Sequence, residues 1–115
     1  MEKEIKILYV PIQGEPEEKT VANKLEAFQS LVGGNVETFP IDDDHSIFGV
    51  CNEEGKINGM LPNRLLIDFI TDKVIDIIFG NFFIAGYDGK GDFRSLTSEE
   101  VSIYKDMLTP HVCYV

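Results

Sequence analysis

The stretch RLLIDFITDKVIDIIFGNFFIAGY, Arg64 to Tyr87, constrains the fold of this chain more than any other. Isoleucine, valine and phenylalanine crowd it, and such side chains fit a pleated surface better than a helix. A helical period also runs through Ile67, Ile70, Val74 and Ile77, so two patterns compete. The β-branched density favours two strands turning near Thr71-Asp72-Lys73, with the second continuing past Gly80 to Tyr87. A glycine inside that strand marks a bulge or a close backbone approach. The most apolar part, Val74 to Gly86, is interrupted by Asp76 and is too short to span a bilayer.

Upstream, Ile5 to Ile12 reads as a largely buried strand blunted by Pro11. In EPEEKTVANKLEAFQSLVGG the apolar residues Val21, Leu25, Phe28 and Val32 fall at helical spacing, with Glu15, Glu17 and Glu18 at the positive end. Gly33 follows the last turn, so the segment reads as one amphipathic helix. NVETFPI and SIFGVC bracket the acidic turn Asp42-Asp43-Asp44-His45 as a hairpin. Downstream, Thr97 and Glu100 form a capping box that opens a second helix, with Pro110 just beyond its end. The apolar tail HVCYV is suited to tucking back or adding to a sheet edge. The expected architecture is one α+β domain, residues 1–115, with a mainly antiparallel sheet of about five strands and two helices packed on it, in the order β-α-β-β-β-β-α.

Twenty Asp and Glu against ten Lys and Arg give a formal net charge of -10. That field repels phosphate polyanions and anionic membranes, so the expectation is no direct nucleic acid and no membrane, with a basic protein as the possible partner. A solvated surface that only confers solubility accounts for the same balance. The start MEKEIKILYV lacks the basic, long apolar form of a signal peptide, and Cys51 and Cys113 form no C-x-x-C pair. The chain therefore reads as cytoplasmic with reduced thiols, its oligomeric state open.

Few constellations carry chemistry. Counting from Asp42 places Asp44, Ser46 and Glu53 at calcium-loop positions, but Ile47 stands where the loop needs glycine. His45 and His111 lack partners at metal-ligand spacing, and His111 with Cys113 supplies only half a zinc site. No phosphate-binding glycine motif is present, so no cofactor or metal is expected. Nucleophilic catalysis by Cys51 or Cys113 with either histidine stays open, since partners can meet in space. Phe82 and Phe83 point to opposite faces of a strand, which suits the core better than base stacking.

The richest polar stretch is VCNEEGKINGMLPNR, Val50 to Arg64. Asn52 can bond its own backbone and Gly55 can take a positive φ, so NEEGK makes a good hairpin turn. Asn63 offers donors and acceptors and Arg64 a planar fork for carboxylate or phosphate, while internal pairing of Arg64 with one of the many acids, with Asn63 capping a turn, is the simpler reading of the pair. The candidate binding residues are Asn52, Glu54, Asn63, Arg64 and Asn81.

LVGGNVETFPI, VCNEEGKINGMLPNR, DIIFGNFFIAGYDGKGDF and SLTSEEVSIY, in this order, resemble the family catalogued as domain of unknown function 3846. The resemblance covers nearly all of the chain after Leu31 and falls on Gly33, Gly34, Asn52, Glu54, Gly55, Leu61 to Arg64, Gly80, Phe82 and Phe83. Where relatives often carry two prolines before the Asn-Arg pair, this chain has Leu61-Pro62. The resemblance implies a phage, plasmid or other mobile-element setting in bacteria and no particular reaction. Three functional classes follow from the residues and that setting. One is an acidic module that engages a protein partner through a face or sheet edge without catalysis, or mimics DNA. A second is a small-molecule binding or hydrolytic domain built on Asn63, Arg64, Asn81 and Glu54. A third is an accessory or dimerisation domain with no ligand.

Overall fold

In the computed structural model, which describes residues 2–115, the apolar run becomes three strands rather than two. The elements in order are β1 (Glu4–Val10), β2 (Glu17–Ala22), α1 (Leu25–Val32), β3 (Val36–Pro40), β4 (Ile47–Asn52), β5 (Pro62–Ile67), β6 (Val74–Phe79), β7 (Phe82–Tyr87), β8 (Phe93–Arg94), α2 (Ser98–Leu108) and β9 (Val112–Tyr114). The expected turn at Thr71-Asp72-Lys73 is present between β5 and β6. Gly80 is where the expectation fails. Its φ of +82° ends β6 and releases the chain into β7, which belongs to another sheet. A Cβ at Gly80 would also meet Met60 Sδ at 2.6 Å, so both the backbone and the space select glycine there.

The first sheet has six strands in the order β2-β1-β7-β4-β3, with β8 added to β7, and every pairing in it is antiparallel. The second has three, ordered β6-β5-β9. There β5 and β6 pair antiparallel while the tail strand β9 adds parallel to β5, which is the sheet-edge placement expected of HVCYV. The fold is α+β, with two helices packed on mainly antiparallel sheets. Among the described residues the strand count is nine in two sheets, not about five in one.

Helix α1 is shorter than its apolar spacing suggests. Glu17–Ala22 is extended and pairs residue by residue with β1, from Glu4↔Ala22 to Tyr9↔Glu17. Val21 therefore covers the sheet face as a strand residue beside Ile5, and helical structure starts only at Leu25. Gly33, at φ +80°, closes α1 in a left-handed cap as its place in the sequence suggests. The hairpin β3–β4 and the Thr97/Glu100 capping box also form as read.

Two cores lie on opposite faces of the first sheet. On one, Phe28 and Val32 of α1 pack over Ile5, Ile7, Val50, Phe83 and Ala85. On the other, Leu8, Val10, Phe82 and Ile84 meet Leu66 and Ile78 of the second sheet and Val101 and Leu108 of α2. The neighbours Phe82 and Phe83 are thus both fully buried, one in each core. The first sheet is the middle layer, with α1 on one side and the second sheet with α2 on the other.

Helix α2 is moored at its start by charge. Arg94 donates to both carboxylate oxygens of Glu100 at 2.8 and 3.0 Å, and Glu100 Oε1 also accepts from the Thr97 amide. The bond from Arg94 is the main reason the Glu100 carboxyl sits below its usual range. A carboxyl whose pKa is lowered on folding stabilises the fold above the ordinary value of 4.5 and stops doing so as pH falls through the folded value. Glu100→Gln keeps the capping geometry and loses the charge. Urea titrations should show a deficit of about 1 kcal/mol at neutral pH that closes as pH falls below the ordinary carboxylate range; a deficit independent of pH would assign the loss to packing instead.

Candidate functional site

Asn63 and Arg64, the pair that invites a ligand, sit inside β5 at 4% and 1% exposure. Asn63 Nδ2 donates to the carbonyls of Val10 and Gly80, each at 2.9 Å. Its Oδ1 accepts from Arg64 Nη1 at 2.7 Å. The guanidinium continues through Nε to the Leu108 carbonyl at 2.7 Å and through Nη2 to the Gly14 carbonyl at 2.9 Å. Two neighbouring side chains thereby tie the end of β1, the β1–β2 turn, the β6–β7 break and the C-terminus of α2. Burial lowers the Arg64 pKa from its ordinary value, yet guanidinium remains charged at neutral pH. Its internal partners are carbonyl oxygens and the Asn63 amide, not the carboxylate that an acid-rich sequence suggests. The end of α2, where the helix dipole is negative and carbonyls lack partners, suits a cation.

Asn52 is also turned inward, at 6% exposure. Its Oδ1 accepts from the Glu54 amide at 2.8 Å, the local bond expected of it, and its Nδ2 donates to the Val32 carbonyl at the end of α1. Gly55 corrects the sequence reading: it is absent from the positive-φ residues, and its value is space, since a Cβ would stand 3.0 Å from the Phe79 carbonyl. The positive φ falls on Gly59 instead. The segment between Asn52 and Pro62 is not a hairpin, because β4 and β5 lie in different sheets.

The candidate residues do not converge. Asn52 and Glu54 line a cavity of about 210 Å³ with Glu37, Cys51 and Asp76. Asn81, whose Oδ1 holds the Ile12 amide at 2.9 Å, borders a separate cleft of about 370 Å³. Cys51 is half-buried beside Glu37 and Asp76, and burial, reinforced by those charges, pushes its thiol up to about 11. Burial also raises the Cys113 thiol, which donates to the Pro110 carbonyl. Asp42 spends its carboxylate on Ser46 and on the amides of Ser46 and Ile47, closing the acidic turn. Among the described residues no group of three His, Cys, Asp or Glu stands together as a metal site.

Two features escape a residue-type search. One is a cleft of about 510 Å³ walled by Phe28, Phe48, Tyr87 and Phe93, where α1 is too short to cover its face of the first sheet. The other is the outer face of the second sheet. Pairing aligns Ile77, Leu65 and Val112 in one row across β6, β5 and β9, and Val74, Ile67 and Tyr114 in the next. The alternate positions Arg64, Leu66, Ile78 and Cys113 face inward and are buried. The outward rows are apolar throughout, yet Ile77, Val112, Tyr114 and Val74 are 40%, 46%, 53% and 60% exposed. Phe69 and Ile70 extend the patch from the adjoining turn, still more open.

Residues 5–109 match the domain of unknown function family DUF3846. The chain belongs to that family. No curated protein and no solved structure matches it. Within this DUF3846 chain, the pieces that carried the resemblance are the ones that hold layers together: Asn63 and Arg64 through their bonds, Gly80 through its backbone, and Phe82 and Phe83 through the two cores. Among the described residues, no helix is long and apolar enough to cross a membrane.

Arg64→Lys keeps the charge and loses the planar fork. Its expected cost is about 2–4 kcal/mol in urea denaturation, from the buried acceptors it leaves unpaired; a loss within about 0.5 kcal/mol, the range of a surface change, would return Arg64 to the pool of ligand-binding groups. Cys51 should alkylate slowly with iodoacetamide at neutral pH, its rate still climbing as pH passes the ordinary thiol value of 9.0 toward about 11. A plateau below pH 9 would show an activated thiol.

Proposed function

We propose that this DUF3846 chain is a non-catalytic protein-binding module of a bacterial mobile element, acting in the cytoplasm. The observation that supports it is the pair of uncovered apolar rows on the second sheet. Soluble monomers seldom expose a contiguous apolar patch beyond a few hundred Å², because each such area costs free energy in water. A protein surface of matching shape removes that cost. Over the whole chain, a net charge of -10 steers basic proteins toward it and keeps nucleic acid away, so a basic partner is the one its long-range field selects.

The hydrolytic alternative draws less support. It needs Asn63, Arg64, Asn81 and Glu54 at one pocket, whereas the first two are spent on carbonyls inside β5 and the others border different clefts. Small-molecule binding finds better ground in the aromatic cleft, whose 510 Å³ falls within the range of ligand sites.

The reading is tested by capture from a bacterial lysate that also contains an untagged copy of the chain. The baits are the wild type, Ile77→Lys as a charge placed in the apolar face, and Glu54→Gln as a control outside it. A protein held by wild type and Glu54→Gln and lost with Ile77→Lys supports the module. If folded wild type and Ile77→Lys retain the same proteins, the apolar face is not a binding surface.

A further inference from the structure

We infer that the partner seated on the outer face of the second sheet is a second copy of this chain, packed face to face about a two-fold axis. The inference rests on the reading of that face as a protein-binding surface, and names its occupant.

Size is the first argument. A large apolar side chain presents roughly 150–200 Å² when fully open. At their observed exposures the two rows with Phe69 and Ile70 leave on the order of 650 Å² uncovered, close to the roughly 800 Å² per partner of a standard stable interface. One copy of the face is therefore large enough to be the whole of a dimer contact. An isologous contact sets the same patch on both sides, and rows of isoleucine, valine and leucine meet their like, the Tyr114 hydroxyl being the one polar side-chain group the rows carry.

Charge is the second argument. The chain carries -10 overall, but no residue of the two rows is charged. The bordering turn, Asp68 to Lys73, holds two carboxylates and one ammonium, and the Asp68 carboxylate is already bound to the amides of Ile70 and Thr71. A basic protein would find little on this face to prefer it over a neutral one. The turn's mixed signs make its net charge small, so it opposes a second copy far less than the chain's overall charge does. The excess acids lie on other elements, Glu15, Glu17 and Glu18 on or beside the free edge of β2 among them, and a dimer leaves those surfaces open. The dimer would present two such acidic surfaces to a basic third protein.

These charges set a sign that separates the occupants. Two copies at -10 repel through water, and added salt screens that repulsion, so self-association tightens as salt rises. Attachment of a basic protein weakens under the same change.

Sedimentation equilibrium of the full chain at about 0.05 and 0.5 M salt tests the inference, salt in this range shortening the screening length from about 14 Å to about 4 Å. The wild type should be dimeric with a dissociation constant in the micromolar range or tighter, falling several-fold at the higher salt. Ile77→Lys and, independently, Tyr114→Lys should each weaken the dimer at least about tenfold while leaving the circular dichroism spectrum unchanged, with the denaturation midpoint compared below the dissociation constant, where the wild type is also monomeric. A second variant guards against one that fails to fold. A wild-type chain monomeric at about 100 μM in both buffers, well above such a dissociation constant, overturns the inference. So does a dimer that both folded variants leave intact. A monomer that still holds a lysate protein through Ile77 rejects self-association and leaves the protein-binding reading standing; loss of both rejects the two together.

Discussion

The buried guanidinium of Arg64 is the contact on which the arrangement of layers depends. It reaches the end of α2, the turn after β1 and, through Asn63, the carbonyls of Val10 and Gly80. No hydrophobic contact could specify that meeting, since apolar surfaces slide and carbonyls do not. A charge taken this far from water is unfavourable unless each donor has an acceptor, so the site tolerates one geometry only. Carbonyls left over at a helix end and at two turns are the natural supply, and the pair consumes them.

That constraint explains why the second sheet has an inner and an outer face of such different character. Fixing Arg64 inward fixes the parity of β5, so Leu66 also points in while Leu65 and Ile67 point out. Pairing then carries the parity to β6 and β9, and the outward positions happen to be apolar in all three strands. A strand at the surface of an antiparallel sheet usually alternates apolar and polar residues, and this one does not. The sequence therefore prepares a second apolar layer that the chain itself does not provide.

How much of this was legible follows from which interactions are local. The Thr97/Glu100 box, the Gly33 cap and the Thr71-Asp72-Lys73 turn depend on a few adjacent residues and could be read directly. Glu17–Ala22 could not, because Val21 sits at helical spacing from Leu25 and only pairing with β1 makes it a strand. Gly80 was visible as a peculiarity, but that it separates two sheets is a tertiary fact. Asn63 and Arg64 stood out for their dense polar capacity, but the groups that engage it are backbone carbonyls, which every residue carries and no residue-type search picks out. The outer face was hidden for the opposite reason: Ile77 and Val112 look like core residues in sequence, and exposure is decided by whether another layer arrives.

In the module we propose, net charge and the apolar face act at different ranges, and together they would be more specific than either alone. The charge of -10 reaches through solvent over about a Debye length and decides what approaches. The face is uncharged along its rows and acts only at contact, so it decides what stays. Were the acids on the face itself, desolvating them would oppose every tight complex; were the face absent, the field would hold partners only loosely and release them to salt. In the proposed module, separating the two on different surfaces would let the chain bury apolar area against one protein while its acids remain hydrated and available to another.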